Sequence, residues 1–105
     1  MKVLIPGHRY ELENFEHEAL VNKKGQELQF IQKELDRLGN FVTVSNGTTN
    51  EEVLKVLIDR MQSLNAKMAS RENAIVITHL ETALLWLEKR TRDRQARGVE
   101  GTPKP

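Results

Sequence analysis

Trp86, Arg90, Arg94 and Arg97 follow one another at steps of four, four and three residues. On a helix that spacing lines them along one stripe. An aromatic ring followed by three cations suits a ligand carrying both a base and phosphates. Of the five basic residues between Lys89 and Arg97, four are arginine. That bias favours planar, bidentate recognition of an anion over a point charge. The same arginines would also sit well against the negative end of a helix dipole with no ligand at all.

Other residues that could do chemistry have simpler readings. Ser70 fits a helix N-cap with Asn73 bonding back to it; the alternative is that Arg71 and Asn73 face an anion at the positive helix end. His79 reads as a packing residue on the helix, and Thr78 and Thr82 as helix hydroxyls. Trp86 itself is assigned to the core or to a subunit interface ahead of base stacking. Tyr10 and Phe30 are expected on a sheet face, with His8-Arg9-Tyr10 a weak candidate for stacking and charge. Glu51, Glu52 and Asp59 fit first-turn and surface charges. The chain has no cysteine, and His8, His17 and His79 are not at metal-ligand spacing. No phosphate-cradling glycine loop and no catalytic constellation is present. These absences weigh against an enzyme, and no metal or cofactor is expected.

The elements that must position these residues fit one domain of 105 residues. The formal net charge of +1 gives no global field to attract nucleic acid, and the positive charge is concentrated in residues 86–105, with six Lys/Arg against three Asp/Glu. No apolar run is long enough to cross a membrane or act as a signal peptide, so a cytosolic protein is expected. Residues 1–46 read as β-structure. Val3–Ile5 stops at the turn signal Pro6-Gly7; Tyr10, Leu12 and Phe15 alternate weakly; Glu27–Lys33 places Leu28 and Phe30 on one face; Phe41–Ser45 is rich in β-branched residues. Asp36–Asn40 reads as a hairpin turn with Gly39 or Asn40 at positive φ.

Thr48 with Glu51, or Thr49 with Glu52, offers a capping box. Val53, Leu57, Ile58, Met61 and Leu64 then recur at helical spacing, to about residues 66–68. A second helix runs from Ser70 to about Arg97, with Ile77, Leu80, Leu84 and Leu87 as its apolar stripe and Gly98 closing it. Two long helices joined by about three residues form an antiparallel hairpin. The expected architecture is thus α+β: a small N-terminal antiparallel β-meander followed by a long antiparallel helical hairpin. The single domain spans 1–98, with the β-region at 1–46 and the hairpin at 49–97. The tail, 99–105, packs locally or is disordered.

Four strings stand out in order: PGHRYEL at 6–12, LQFIQKE at 28–34, NGTTNEEVLKVLIDRM at 46–61 and SRENAIVITHLETALLWLEKRTRDRQARGVEG at 70–101. Together they resemble the Thoeris anti-defence sponge family of small bacteriophage proteins, which shares a helical hairpin with the anti-CBASS sponges. The resemblance implies a phage-encoded protein acting in the cytoplasm of the host bacterium. It implies a non-catalytic role, the binding and sequestration of immune messengers: glycocyclic ADP-ribose isomers and, in some members, cyclic di- or trinucleotides. It further implies a homo-oligomer, a dimer or a trimer of dimers. The family's ADP-ribose pocket uses an aromatic residue on the first hairpin helix, an asparagine near the start of the second and arginines near its end. By motif position these fall at Ser63, Asn73, Arg90 and Arg94, with Ser63 the departure from the aromatic; Arg71 and Arg97 are second choices. The rival readings are an enzyme that degrades the same messengers, a nucleic-acid-binding hairpin, and a purely structural or packaging small phage protein with no ligand.

Spacing adds a constraint independent of the family. Asn73 and Arg90 are 17 residues apart on one expected helix, roughly 25 Å at 1.5 Å per residue. A small ligand touching both must sit between two chains, with the hairpin tip of one near the arginine end of another.

Overall fold

The computed structural model describes residues 1–16 and 25–105. They form two compact units, Met1–Thr48 and Thr49–Pro105. His17 lies outside the described residues.

The first unit is β-structure. Strands β1 (Lys2–Ile5), β2 (Arg9–Glu11) and β3 (Glu27–Gln29) make an antiparallel sheet in chain order; β4 (Gln32–Leu35) and β5 (Phe41–Ser45) make a separate antiparallel pair. The expected meander is therefore split in two. The break falls inside the stretch expected as a single strand over 27–33. Up to Gln29 the chain pairs with β2. The Phe30 amide still donates to the His8 carbonyl, but the Ile31 amide donates to Thr48, whose own amide donates to Gln29. The chain has exchanged one partner for another, and no continuous ladder can follow. Gly47 lies at this crossing. A Cβ there would come within 2.5 Å of the Gln29 carbonyl oxygen, so the close approach requires glycine. The β4–β5 turn forms as expected: Asp36 Oδ1 accepts from the amides of Leu38 and Asn40, each at 2.9 Å, and Gly39 has φ 79°.

The second unit is the helical hairpin, α1 (Asn50–Lys67) and α2 (Arg71–Ala96). Thr49, not Thr48, is the first N-cap, its hydroxyl accepting from the Glu52 amide at 3.2 Å; Thr48 is occupied in the bridge to Phe30. Ser70 caps α2, accepting from the Asn73 amide at 3.1 Å. Apart from Glu88, the half-buried positions on α2 are Asn73, Ile77, Leu80, Leu84, Leu87 and Thr91, ending in buried Arg94. Those steps of four and three are a coiled-coil seam. Leu54, Ile58, Met61 and Asn65 give α1 the same half-buried pattern.

The helices are unequal, 18 against 26 residues. With the tip fixed at 68–70, the last two turns of α2 overhang α1 by about 12 Å. There the seam continues with no helix opposite. The tail folds back to fill the gap. Gly98, at φ 71°, reverses the chain, and the amides of Val99 and Gly98 donate to the carbonyls of Arg94 and Gln95, the double bond of a Schellman cap.

Among the described residues no apolar side chain is buried. Beyond the seam the hairpin exposes Val56, Leu57 and Leu64 of α1 and Ile75, Val76 and Leu85 of α2. Leu57 and Leu64, expected on the packing stripe, belong to this outer face.

Candidate functional site

The stripe expected from Trp86 to Arg97 divides in the structure. Arg94 leaves it for the seam and is 7% exposed. Its Nε donates to Glu100 Oε2 at 3.2 Å, Nη1 to the Lys104 carbonyl at 2.7 Å, and Nη2 to the carbonyls of Val99 and Thr102 at 2.9 and 2.8 Å. Four of the five guanidinium N–H groups are thus spent on the tail. Arg94 is the pin on which residues 99–104 fold. The tail packs locally, the first of the two expected outcomes.

Trp86, Arg90 and Arg97 keep the stripe and are exposed. With Lys89, Asp93 and Pro105 they line an open groove of about 430 Å³ whose wall includes Arg94. That volume is within the range of small-molecule sites. Arg97 Nη1 donates to the Pro105 backbone oxygen at 2.8 Å. Lys89 pairs with Asp93 one turn on. The Asp93 carboxyl is held below the usual carboxylate range, first by the Lys89 hydrogen bond and then by the charges of Lys89, Arg92 and Arg97. Asp93 thus cancels Lys89 and leaves the arginines to set the sign of the groove. Among the described residues Arg90 has no hydrogen-bond or carboxylate partner.

The tip residues are placed differently. Asn73 is half-buried on the seam, and its Nδ2 reaches the Met68 carbonyl only at a long 3.4 Å. Ser63 is exposed on the opposite side of α1, in a groove of about 510 Å³ lined by α1 alone, with Arg60 and Lys67. Arg71, exposed, opens α2. One continuous helix carries both Asn73 and Arg90, so a single chain does not bring tip and arginines together.

Other expectations change. Trp86 is 66% exposed and is no core residue of this chain. His79 is exposed, because two residues on from Ile77 it faces away from the seam. Arg9 grips Glu27 through both carboxylate oxygens at 2.8 Å, and Tyr10 packs edge-on to Phe30 with centroids 6.1 Å apart. Arg9 and Tyr10 of that weak motif are thereby used in holding β2 to its neighbours. Thr78 and Thr82 donate to the carbonyls one turn back. Among the described residues no group of His, Asp and Glu is placed to hold a metal ion, and no helix is long and apolar enough to cross a membrane. The role of Arg94 in the tail was missed from sequence, although the seam spacing from Ile77 onward contained the signal.

Comparison with known proteins bears on the hairpin. The chain is 51% identical over 59 residues to a protein of Bacillus phage SBSphiJ7 named Thoeris anti-defense 1. The match covers 55% of this chain and 42% of that relative, so the chain spans less than half of the curated protein it matches. Residues 33–92, from β4 through most of α2, match the family model described as "Acb2/Tad1, hairpin domain". That match takes in α1 and α2 with their seam as far as Thr91, and by it the chain belongs to the Acb2/Tad1 hairpin-domain family.

Proposed function

We propose that this protein acts against bacterial anti-phage signalling by binding a cyclic nucleotide messenger and holding it intact, without chemistry. The messenger class that suits the groove best is a glycocyclic ADP-ribose isomer; cyclic di- or trinucleotides share its phosphate and base chemistry. The observation that carries this reading is the arginine groove at the end of α2, with Arg90 and Arg97 exposed along its rim. Arg90 is the free fork for a pyrophosphate. Arg94 supplies a charge fixed in the wall, with one N–H still uncommitted, and Arg97 closes the far end. Asn73, with its amide weakly engaged, would hydrogen-bond a ribose or base edge from the tip of a neighbouring chain, where Ser63 and Arg71 also lie.

This pocket needs an oligomer. Exposed Val56, Leu57, Leu64, Ile75 and Val76 support one, since a chain that buries no apolar side chain among its described residues gains by burying these against a copy. An antiparallel dimer, or a trimer of such dimers, brings tip and arginine ends together twice per pair. Its place of action would be the host cytoplasm, where such messengers are made.

The test separates holding from destroying. The protein is incubated with a glycocyclic ADP-ribose isomer, and free messenger is assayed before and after heat denaturation. Depletion before heating with full recovery of unchanged messenger afterwards is expected. A converted product would overturn the reading in favour of an enzyme.

A further inference from the structure

We infer that Trp86 is the base-stacking platform of the arginine groove, and so the residue by which this protein distinguishes a nucleotide from a bare phosphate. The inference rests on the messenger-binding reading above and deepens it.

An indole two-thirds exposed to water forgoes most of the burial that makes tryptophan useful for packing. Among the described residues Trp86 meets no other ring; the aromatic pair is Tyr10 with Phe30. Its neighbours in the groove are Lys89, Arg90, Asp93 and Arg97. Such surroundings suit a subunit interface poorly. Interface centres are depleted of charge, whereas the rim of an inter-subunit pocket, where a ligand enters, is polar. The exposed aliphatic residues Val56, Leu57, Leu64, Ile75 and Val76 are not part of this groove and provide the apolar surface that an interface needs.

The geometry fits a base instead. Arg90 lies one turn beyond Trp86 and Arg97 three turns beyond, within about 40° and 20° of it around the helix. The step from ring to first arginine is about 6 Å along the axis, comparable with the separation of a purine from its own 5′-phosphate. A base on Trp86 therefore sets its phosphates on Arg90 and the following charges.

Trp86 is the only tryptophan in the chain, so its emission reports the site directly. The full chain is titrated with a glycocyclic ADP-ribose isomer and, separately, with inorganic pyrophosphate, following Trp86 fluorescence and heat of binding. Strong quenching by the base-bearing probe, and little by pyrophosphate, is expected. Trp86→Ala should weaken the cyclic ADP-ribose complex by about tenfold or more and pyrophosphate by less than about twofold, while Trp86→Phe keeps most of the affinity. Sedimentation should give the same mass for all three proteins. Cyclic ADP-ribose affinity indifferent to Trp86→Ala, an equal loss for both probes, or a drop in mass on Trp86→Ala would each overturn the stacking role while leaving the arginine site standing. Absence of binding by either probe to the unsubstituted protein would overturn both.

Discussion

The two ends of α2 are built from similar polar residues and use them in opposite ways. At the tip, Ser70 and the Asn73 backbone close a helix cap, and the Asn65 side chain accepts from the Ser70 amide. The polar groups there mainly complete the backbone of the turn. At the open end the helix runs past its partner, and one arginine is likewise spent, Arg94 on the tail carbonyls. Its neighbours Arg90 and Arg97 are left at the surface. The difference teaches how a site is separated from its scaffold. A guanidinium facing a vacant seam position is drawn into structure, whereas one offset around the helix stays available for a ligand. Arg90 and Arg94 are one turn apart, and their substitutions should fail in different ways.

Arg90→Ala should have the largest effect on binding. Removing a two-pronged charged donor from a phosphate should lower messenger affinity about 100-fold or more, with oligomer mass and melting temperature nearly unchanged. Undiminished affinity by calorimetry would take Arg90 out of the site. Arg94→Ala should instead lose about 1–3 kcal/mol of stability as the tail loses its hydrogen bonds. It should also make residues 99–105 sensitive to a protease. Arg94→Lys should rescue little, because an ammonium cannot span Glu100 and three carbonyls with one planar fork. If Arg94→Ala melted like the unsubstituted protein and lost only affinity, the contrast between the two arginines would collapse.

That contrast also marks how much could be read from the sequence. Periodicity and capping residues located both helices, and Thr49, Ser70 and Gly98 act at their ends as their types suggest. The Asp36–Gly39 turn was equally readable, because its chemistry is local. Arg94 was misplaced for a non-local reason. A count in steps of three and four fits both the Trp86 line and the Ile77 line, and only the unequal helix lengths decide that position 94 faces a gap. The break at Phe30 was illegible for the same kind of reason. Nothing in Glu27–Lys33 announces that Thr48 will compete for its backbone. The placement of Asn73 on the seam and of Ser63 on the outer side of α1 follows from the seam register, which Leu57 and Leu64 obscured by extending the apolar surface outward.

A smaller effect tests whether the tail is fixed by its turn or by Arg94. Gly98 has φ 71°, and a Cβ there would meet nothing within 4 Å, so Gly98→Ala carries only the backbone cost of the left-handed conformation. About 1 kcal/mol is expected in chemical denaturation, with the Arg94 contacts, and hence the protease resistance of the tail, largely kept. Equal exposure of the tail in Gly98→Ala and Arg94→Ala would make the glycine turn the true pin and reduce Arg94 to a follower.

The smallest effect concerns the one carboxylate in the groove. Asp93 neutralises Lys89, so Asp93→Asn should free a cation beside the arginines and raise messenger affinity by no more than a few-fold, a gain that vanishes as salt screens it. The pH dependence follows from the sign of the shift. The Asp93 carboxyl is held below its ordinary value of 3.8, so it remains ionised through the neutral and mildly acid range. The Lys89–Asp93 pairing is present above the ordinary carboxylate range and is lost only as pH falls through the lowered value. Messenger affinity should therefore show no Asp93-dependent step between about pH 5 and 8, and the ratio of Asp93→Asn to unsubstituted affinity should be constant across that window. A ratio that converged toward one near pH 5 would mean that Asp93 titrates higher than its cationic neighbours allow. The groove would then be more shielded from Lys89, Arg92 and Arg97 than the exposed end of α2 indicates.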